Sequence, residues 1–252
     1  MRRRSLLLAP AALLLAGADR VPVAATPISR MDTGWWKARH LEKLAELQRG
    51  PVDLIWLGDS ITQDWELTGP PEWRDFAPVW QHFYGDRHAV NLGFKGDTTS
   101  HLLWRMQNGE LDGIKPKAAV VLIGANNMGR VHWNAEQTVA GIQAVVDDLR
   151  RRLPSTKILL LSVLPSIRSK YVTRTTAEIN QALATRFPPG GPVTYMDVTN
   201  LFMRDGVVDR TQFLDDQLMP PDPPLHPTAQ AQRRLAEVIE PALAAMMGDR
   251  RH

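Results

Sequence analysis

The sequence contains no cysteine. This absence excludes disulfide bridges, metal sites built on thiolates and a cysteine nucleophile. It does not argue against export, because a chain of 252 residues can bury a substantial apolar core without cross-links.

A long apolar run is also missing, since the N-terminal apolar stretch, residues 6–16, is too short to span a bilayer comfortably. Three arginines precede it, and small residues follow it, with Ala16-Gly17-Ala18 and Val23-Ala24-Ala25 as candidate cleavage sites. This order predicts a signal peptide over residues 1–25, with a retained membrane anchor as the alternative. We therefore expect an exported protein, periplasmic or extracellular, that has no stable membrane association.

Neither sign of charge predominates once the predicted signal peptide is set aside. The full chain has 30 basic and 27 acidic residues, and residues 1–25 hold four of the basic and one of the acidic ones, which leaves 26 of each. This balance gives no support for a nucleic-acid partner. The sequence leaves the oligomeric state open, a homo-oligomer included.

Motifs of several other enzyme classes are absent. The histidines show no HExxH spacing, no GxxxxGK[ST] phosphate loop occurs, and Gly93-x-x-Gly96 lacks the third glycine of a dinucleotide fingerprint. Ser60 does not lie in a GxSxG turn, because Thr62 occupies the last place. The sequence thus disfavours metal enzymes, dinucleotide-binding enzymes and the α/β-hydrolase fold.

What is present is an alternation of short apolar runs with segments of helical period, which is typical of a parallel sheet covered by helices on both faces. The predicted strands are 53–57, 89–92, 118–123, 157–163 and 193–196. The predicted helices are 35–47, 98–106 with Asp97 as N-cap, 135–153, 171–187 and 228–247, and residues 67–80 are expected to form a long irregular loop. No linker divides the chain, so residues 26–252 are predicted to form one domain.

Polar residues follow four of these strands. In parallel sheets the reactive groups gather at the carboxyl ends of the strands, where the loops meet. Ser60 follows the first strand, Gly96 the second, Asn126 the third, and His226 the last. Each loop alone has a structural explanation as a helix cap or a tight turn. Together, a hydroxyl, an imidazole and N–H donors at one edge are the groups that acyl transfer needs.

The chemistry assigns a role to each group. A serine hydroxyl is a weak nucleophile until a base takes its proton, and neutral imidazole is suited to that task, so Ser60 is the candidate nucleophile and His226 the candidate base. Attack on an ester carbonyl creates an oxyanion. The backbone N–H groups of Ser60 and Gly96 and the side-chain amide of Asn126 are suitable donors to it.

At these residues the sequence resembles the SGNH, or GDSL-like, hydrolase family. Gly58-Asp59-Ser60-Ile61 is similar to its nucleophile block, Gly96 and Asn126 stand at its oxyanion positions, and His226 at its catalytic histidine. Residues 91–127 are most similar to the catalytic subunits of intracellular platelet-activating-factor acetylhydrolases. The resemblance implies a three-layer α/β/α sandwich of flavodoxin-like form with a mainly five-stranded parallel sheet, hydrolysis of short acyl esters, and no cofactor.

Two departures from the family pattern matter. An aspartate normally stands three residues before the histidine, but Pro223 occupies that place and Asp222 lies one residue earlier. We assign Asp222 as the residue that orients His226, with Asp215, Asp216 or a backbone carbonyl as alternatives. The second departure is an extra loop that carries Trp65, Trp73 and Trp80.

These tryptophans have two explanations, stacking on a sugar ring or packing of the loop onto the domain, and the second is favoured. Trp65 is nevertheless assigned to the substrate pocket, together with Asp59 and Asn127.

The sequence therefore predicts a serine carboxylic ester hydrolase that removes short acyl groups, acetyl above all, from a small ester or an O-acetylated carbohydrate. One alternative is an O-acyltransferase that uses the same acyl-enzyme. The other is a catalytically silent glycan-binding module, which only the displaced Asp222 motivates.

Overall fold

The structure is a computed structural model that describes residues 21–69, 75–215, 218 and 221–249. Most of the predicted signal peptide, residues 1–20, lies outside these ranges, as do Trp73 and Asp216.

A five-stranded parallel sheet forms the centre of the molecule. Its strands are β1 (Leu54–Gly58), β2 (Ala89–Gly93), β3 (Ala118–Leu122), β4 (Lys157–Leu161) and β5 (Val193–Met196), in the order β2-β1-β3-β4-β5. All five predicted strands are present, although β3 and β4 end one and two residues earlier than predicted. A short antiparallel pair, β6 (Met203–Arg204) and β7 (Val207–Val208), stands apart from the sheet.

Helices cover both faces of the sheet and confirm the predicted three-layer α/β/α sandwich. They are α1 (Gly34–Leu47), α2 (Ser60–Gln63), α3 (Phe76–Tyr84), α4 (Thr99–Arg105), α5 (Ala125–Gly129), α6 (Ala135–Arg152), α7 (Lys170–Arg186) and α8 (Ala229–Met247). Helix α6 packs between α4 and α7, whereas α8 packs on α3, β3 and β4. In the described part of the chain, no helix combines the length and apolar character that crossing a membrane requires.

The core follows from the composition of the strands. Every residue of β1 and β3 is buried, and so are the four apolar residues of β4. Strands that are covered on both faces need continuous rather than alternating apolar residues, which is the pattern of Ala118–Leu122. The apolar runs in the sequence were therefore a reliable signal of parallel strands.

The predicted irregular loop over 67–80 is the main error of the secondary-structure prediction. Its second half enters helix α3, which buries Phe76, Val79, Phe83 and Tyr84. Pro78 does not interrupt this helix, because the N–H groups of a first turn have no intrahelical acceptor to lose. The proline-rich sequence concealed an amphipathic helix of nine residues.

The segment just after residue 20 packs into the domain. Val23–Ala25 forms a 3-10 turn that contacts α4 and α6, and the side chain of Ala24 is buried. Thr99 Oγ1 donates to the carbonyl oxygen of Ala24 at 2.7 Å, and Ser100 Oγ donates to that of Val23 at 2.6 Å. The described fold thus includes residues that the sequence assigned to the end of a signal peptide.

Candidate active site

The candidate site lies at the carboxyl edge of the sheet, around its first strand. The strand order places β2 on one side of β1 and β3 on the other. The chain passes from β1 to β2 on one side and from β3 to β4 on the other, so the loops after β1 and β3 diverge, which is where binding sites form in such sheets. Ser60, Gly96 and Asn126 belong to the loops after β1, β2 and β3.

Ser60 is the first residue of α2 and follows β1 after a single intervening residue. Asp59 caps this helix, since its Oδ1 accepts the backbone N–H of Ile61 at 3.0 Å. Helix α2 lies directly against β2, where a methyl group on Gly93 would be 2.2 Å from the backbone nitrogen of Gln63. Only glycine permits this approach, which fixes Ser60 at the edge of the sheet.

The structure brings Ser60 and His226 together across the chain. Ser60 Oγ lies 3.0 Å from His226 Nε2, and His226 Nδ1 lies 2.6 Å from Asp215 Oδ1. Because Nδ1 faces a carboxylate, it carries the proton, and Nε2 is left as the acceptor for the serine hydroxyl. A hydroxyl, an imidazole and a carboxylate therefore form one continuous hydrogen-bonded chain.

The carboxylate beside His226 is Asp215, so the prediction of Asp222 is wrong. Asp215 Oδ2 also accepts the backbone N–H groups of Leu225 at 2.9 Å and of His226 at 2.5 Å. Asp222 is exposed, and its backbone N–H donates to the carbonyl oxygen of Asp215 at 2.9 Å. The earlier aspartate therefore bonds the imidazole nitrogen, and the later one is exposed.

The carboxylate also controls the proton affinity of the imidazole. Burial lowers the pKa of His226, but the hydrogen bond to Asp215 and the charges of Asp215, Asp64 and Asp59 outweigh it, so its pKa lies above the usual 6.5. Burial likewise raises the pKa of Asp215, but the hydrogen bonds from His226 and Leu225 hold it below its usual range. The pair is therefore arranged to stabilise a protonated imidazole.

The N–H groups predicted to bind an oxyanion belong to the loops that follow β1, β2 and β3. Gly96 has a φ of +76°, a left-handed conformation that favours glycine, in the turn between β2 and α4. Its backbone N–H donates no hydrogen bond within the described residues. Ser60 occupies the first position of α2, where an N–H has no intrahelical acceptor. Both groups are available to an incoming oxygen atom.

Asn126 is held in a different way. Its Nδ2 donates to the carbonyl oxygen of Asp97 at 3.0 Å and to Asp59 Oδ2 at 3.3 Å, so both amide protons already have acceptors. The bond to Asp59 is long, and burial raises the pKa of Asp59 to about 7 in spite of the N–H of Ile61 and the charge of His226. Exchange of this weak bond for a substrate oxygen is the change that would engage Asn126.

Asp97 does not cap helix α4 as predicted. Thr98 is the N-cap, in a reciprocal arrangement with His101. The Asp97 carboxylate accepts the Nε–H of Arg105, the Nε1–H of Trp36 and an N–H of Arg30, each at 2.8 Å. A carboxylate with this many charged and neutral donors is fully compensated although it is buried. It anchors the turn that carries Gly96.

The three residues assigned to the substrate pocket are all buried in the domain. Trp65 is 1% exposed, with its ring 5.6 Å from that of Trp56 and 6.1 Å from that of Trp80. Asn127 bonds Thr99 through both ends of its amide, at 2.8 and 3.1 Å, and Asp59 caps α2. The assignment of Trp65, Asn127 and Asp59 to substrate contact is therefore corrected. Their side chains hold the loops in place.

Comparison with known proteins shows the family of the chain. The model of the GDSL-like Lipase/Acylhydrolase family matches residues 56–234. The platelet-activating factor acetylhydrolase IB subunit alpha2 of Rattus norvegicus is 32% identical over 198 residues, which are 77% of this chain and 80% of that protein.

Solved structures share the fold. A GDSL-like lipase from Bacteroides thetaiotaomicron aligns with a TM-score of 0.63 at 16% identity, over 82% of this chain and 97% of its own. A carbohydrate acetylesterase family member from Sinorhizobium meliloti aligns with a TM-score of 0.55 at 17% identity, over 79% of this chain and all of its own. At such identities the likeness concerns the fold alone.

The two aspartates near His226 can be told apart by mutation. We expect Asp215→Asn to lower kcat for ester hydrolysis by about four orders of magnitude, because the amide no longer holds the Nδ1 proton in place. Asp222→Asn, the matched control, is expected to keep kcat close to that of the wild type, since its side chain is exposed. A large loss in Asp222→Asn with little loss in Asp215→Asn would reverse the assignment.

The pH profile follows from the raised pKa of His226. Only neutral imidazole accepts the serine proton, so kcat/KM should fall as pH decreases through a midpoint above 6.5, the usual histidine value. In Asp215→Asn the midpoint should move to lower pH, because burial then acts without its compensation.

Asp59 titrates in the same range and provides the control for that profile. The acidic limb should persist in Asp59→Asn, with a midpoint slightly lower than in the wild type, since the charge of Asp59 contributes to the raised pKa of His226. If the limb disappears in Asp59→Asn, the titration belongs to that carboxyl and not to the imidazole.

Proposed function

The chain belongs to the GDSL-like lipase/acylhydrolase family and is a carboxylic ester hydrolase. We therefore propose that it transfers a short acyl group, acetyl in the first place, from an ester to Ser60 and then to water. The observation that carries the proposal is the hydrogen-bonded chain from Ser60 Oγ to His226 Nε2 at 3.0 Å and from Nδ1 to Asp215 at 2.6 Å.

The first half of the reaction forms the acyl-enzyme. His226 Nε2 takes the hydroxyl proton as Ser60 Oγ attacks the ester carbonyl carbon, and the imidazolium is stabilised by Asp215. The carbonyl oxygen becomes an oxyanion. When the tetrahedral intermediate collapses, the bond to the alcohol oxygen breaks, and the imidazolium returns its proton to the departing alcohol.

Water completes the cycle in the second half. His226 removes a proton from a water molecule that attacks the acyl carbon, and the collapse of this intermediate frees the carboxylic acid and restores the Ser60 hydroxyl. In both halves the N–H groups of Ser60 and Gly96 donate to the oxyanion, and Asn126 joins them. In other enzymes, removal of one such donor raises the barrier by about 3–4 kcal/mol.

The names of similar proteins support acetyl as the acyl group. The curated relative is an acetylhydrolase subunit, and one protein of the same fold is a carbohydrate acetylesterase family member. We propose an acetylated small molecule as substrate, with an O-acetylated carbohydrate as the leading candidate. Because Trp65 is buried, stacking of a sugar on that ring does not contribute to this choice.

An O-acyltransferase is the second candidate, because the acyl-enzyme is common to both reactions and only the acceptor differs. Analysis of the products formed from an acetyl ester in the presence of a sugar acceptor separates them. The third candidate, a glycan-binding module without catalysis, loses its motivation. Position 223 holds proline instead of the family's aspartate, but Asp215 supplies the carboxylate that bonds His226.

The proposal is tested with 4-nitrophenyl acetate. We expect Ser60→Ala and His226→Ala to lower kcat by about four to six orders of magnitude, because nucleophile and base act as a unit. Ser155→Ala, an exposed serine at the opposite edge of the sheet, is the matched control and should keep the wild-type rate. A fluorophosphonate should label the wild type at Ser60. Equal rates in all four proteins would refute the assignment.

Export remains a proposal, and the packing of residues 23–25 refines it. Cleavage after Ala25 would remove the buried Ala24 and the carbonyl groups that Thr99 and Ser100 contact, whereas cleavage after Ala18 would keep them. We therefore expect N-terminal sequencing of the exported protein to begin at Asp19. A mature chain that begins at Thr26, or one that retains Met1, would contradict this expectation.

A further inference from the structure

Most charged groups around Ser60 have an opposite charge beside them. The carboxylate of Asp97 lies 2.8 Å from both Arg30 and Arg105, and that of Asp215 lies 2.6 Å from His226. Asp64 has Lys95 at 3.7 Å. These three carboxylates are thus each matched by a cation. Two arginines beside the same loops, Arg130 and Arg168, have no carboxylate partner among the described residues.

The first is Arg130, which follows α5 and lies one turn beyond Asn126. Its guanidinium rests against Gly96, because a methyl group on that glycine would be 2.4 Å from Arg130 Nη1. The side chain is exposed and has no carboxylate within 4 Å in the part of the chain that the structure describes. A free guanidinium therefore stands beside one of the proposed oxyanion donors.

The second is Arg168, in the loop between β4 and α7. Its Nη2 donates to the carbonyl oxygen of Ala125 at 3.1 Å, and its Nε donates to Ser166 Oγ at 3.1 Å, both neutral acceptors. A methyl group on Gly129 would lie 2.4 Å from its Nη1, so the guanidinium covers α5.

The surroundings of Arg168 are unfavourable for a cation without a partner. The side chain is half-buried, and burial lowers its pKa although the more distant Asp59 and Asp215 act in the opposite direction. Among the described residues it has no carboxylate within ion-pair distance. A partly desolvated charge that lacks a counter-charge costs folding free energy unless a ligand supplies one.

Both arginines are associated with α5, the short helix that carries Asn126: Arg130 is the residue at its end, and the guanidinium of Arg168 lies against its Gly129. We propose that Arg130 and Arg168 bind an anionic group, a carboxylate or a phosphate, on the alcohol portion of the ester whose carbonyl is attacked by Ser60. The planar fork of arginine matches both oxyanions. The inference rests on the proposed function, because an acetyl group has no charge and the anion must then belong to the alcohol.

This assignment narrows the substrate class. A neutral acetylated sugar would leave both cations without a counter-charge. An acetylated sugar acid or an acetylated phosphate ester would bring one, and its acetyl group would be directed to Ser60 by the position of the anion. The specificity of the enzyme then depends on charge rather than on stacking against an aromatic ring.

Three acetyl esters of similar shape test the inference. In 3-acetoxybenzoate and 3-acetoxyphenyl phosphate the alcohol portion is anionic, and in 3-acetoxybenzamide it is neutral. The wild type should show a higher kcat/KM for at least one anion than for the amide. In the double variant R130Q/R168Q the ratio of anionic to neutral kcat/KM should fall about ten- to hundredfold, since each lost charged hydrogen bond has an effect of that order.

The ratio separates the inference from its alternatives. Any loss of folded protein affects all three esters equally and cancels, and the single variant R130Q, at an exposed position, provides a second measurement. R150Q, an exposed arginine on α6 at the opposite edge of the sheet, should keep the wild-type ratio. Rising salt should reduce the wild-type preference for the anion. The anionic ester with the larger kcat/KM relative to the amide shows whether the two arginines prefer a carboxylate or a phosphate.

An unchanged ratio in R130Q/R168Q, or a wild type that favours the neutral ester, would overturn the inference. The proposed function would be refuted by a different result, namely a rate of hydrolysis of the neutral ester that is the same in Ser60→Ala as in the wild type.

Discussion

The geometry of the site depends on one buried ion pair, that of Asp97 with Arg105. Arg105 donates from Nε to Asp97 at 2.8 Å, contacts Glu110 through Nη1, and donates from Nη2 to the carbonyl oxygens of Leu92 and Gly58 at 3.2 and 3.3 Å. It thereby ties the ends of β1 and β2 together. The Asp97 carboxylate also accepts hydrogen bonds from Trp36 and Arg30, and its backbone oxygen accepts one from Asn126. Loss of one partner would leave a buried charge uncompensated, which costs about 3–5 kcal/mol.

The carboxylates at the edge of the sheet differ in the direction in which their pKa is shifted. Asp215 accepts three N–H groups and keeps its charge, so it can stabilise an imidazolium. Asp59 is fully enclosed, accepts one short and one long hydrogen bond, and has a pKa raised to about 7 by burial. The same functional group therefore has a lowered pKa in one place and a raised one in the other, because Asp59 is more completely buried and accepts fewer hydrogen bonds than Asp215.

The aromatic residues near the nucleophile form part of the core. Trp56 of β1 packs against Trp65, Trp80 and Tyr84, with ring centroids 5.2 to 6.1 Å apart. Such pairs contribute packing energy beyond the area that they bury. Helix α3 contributes Trp80 and Tyr84 to this group, so part of the segment that the sequence predicted to be an irregular loop is a layer of the domain, and Trp65 and Trp80 pack as the favoured explanation expected.

The sequence by itself determined the layered fold and the order of the loops at the carboxyl edge. Apolar runs and helical periods are local properties of the chain, and the parallel arrangement brings the residues after each strand to one edge. Ser60 and His226 could be selected in this way, and the structure brings their side chains within 3.0 Å. Only the tertiary structure decided which carboxylate faces His226, that Trp65, Asn127 and Asp59 are enclosed, and that Arg130 lies against Gly96 and Arg168 against α5. The physical reason is that these contacts join irregular loops distant in the chain, whose course depends on packing against the whole domain rather than on residue spacing.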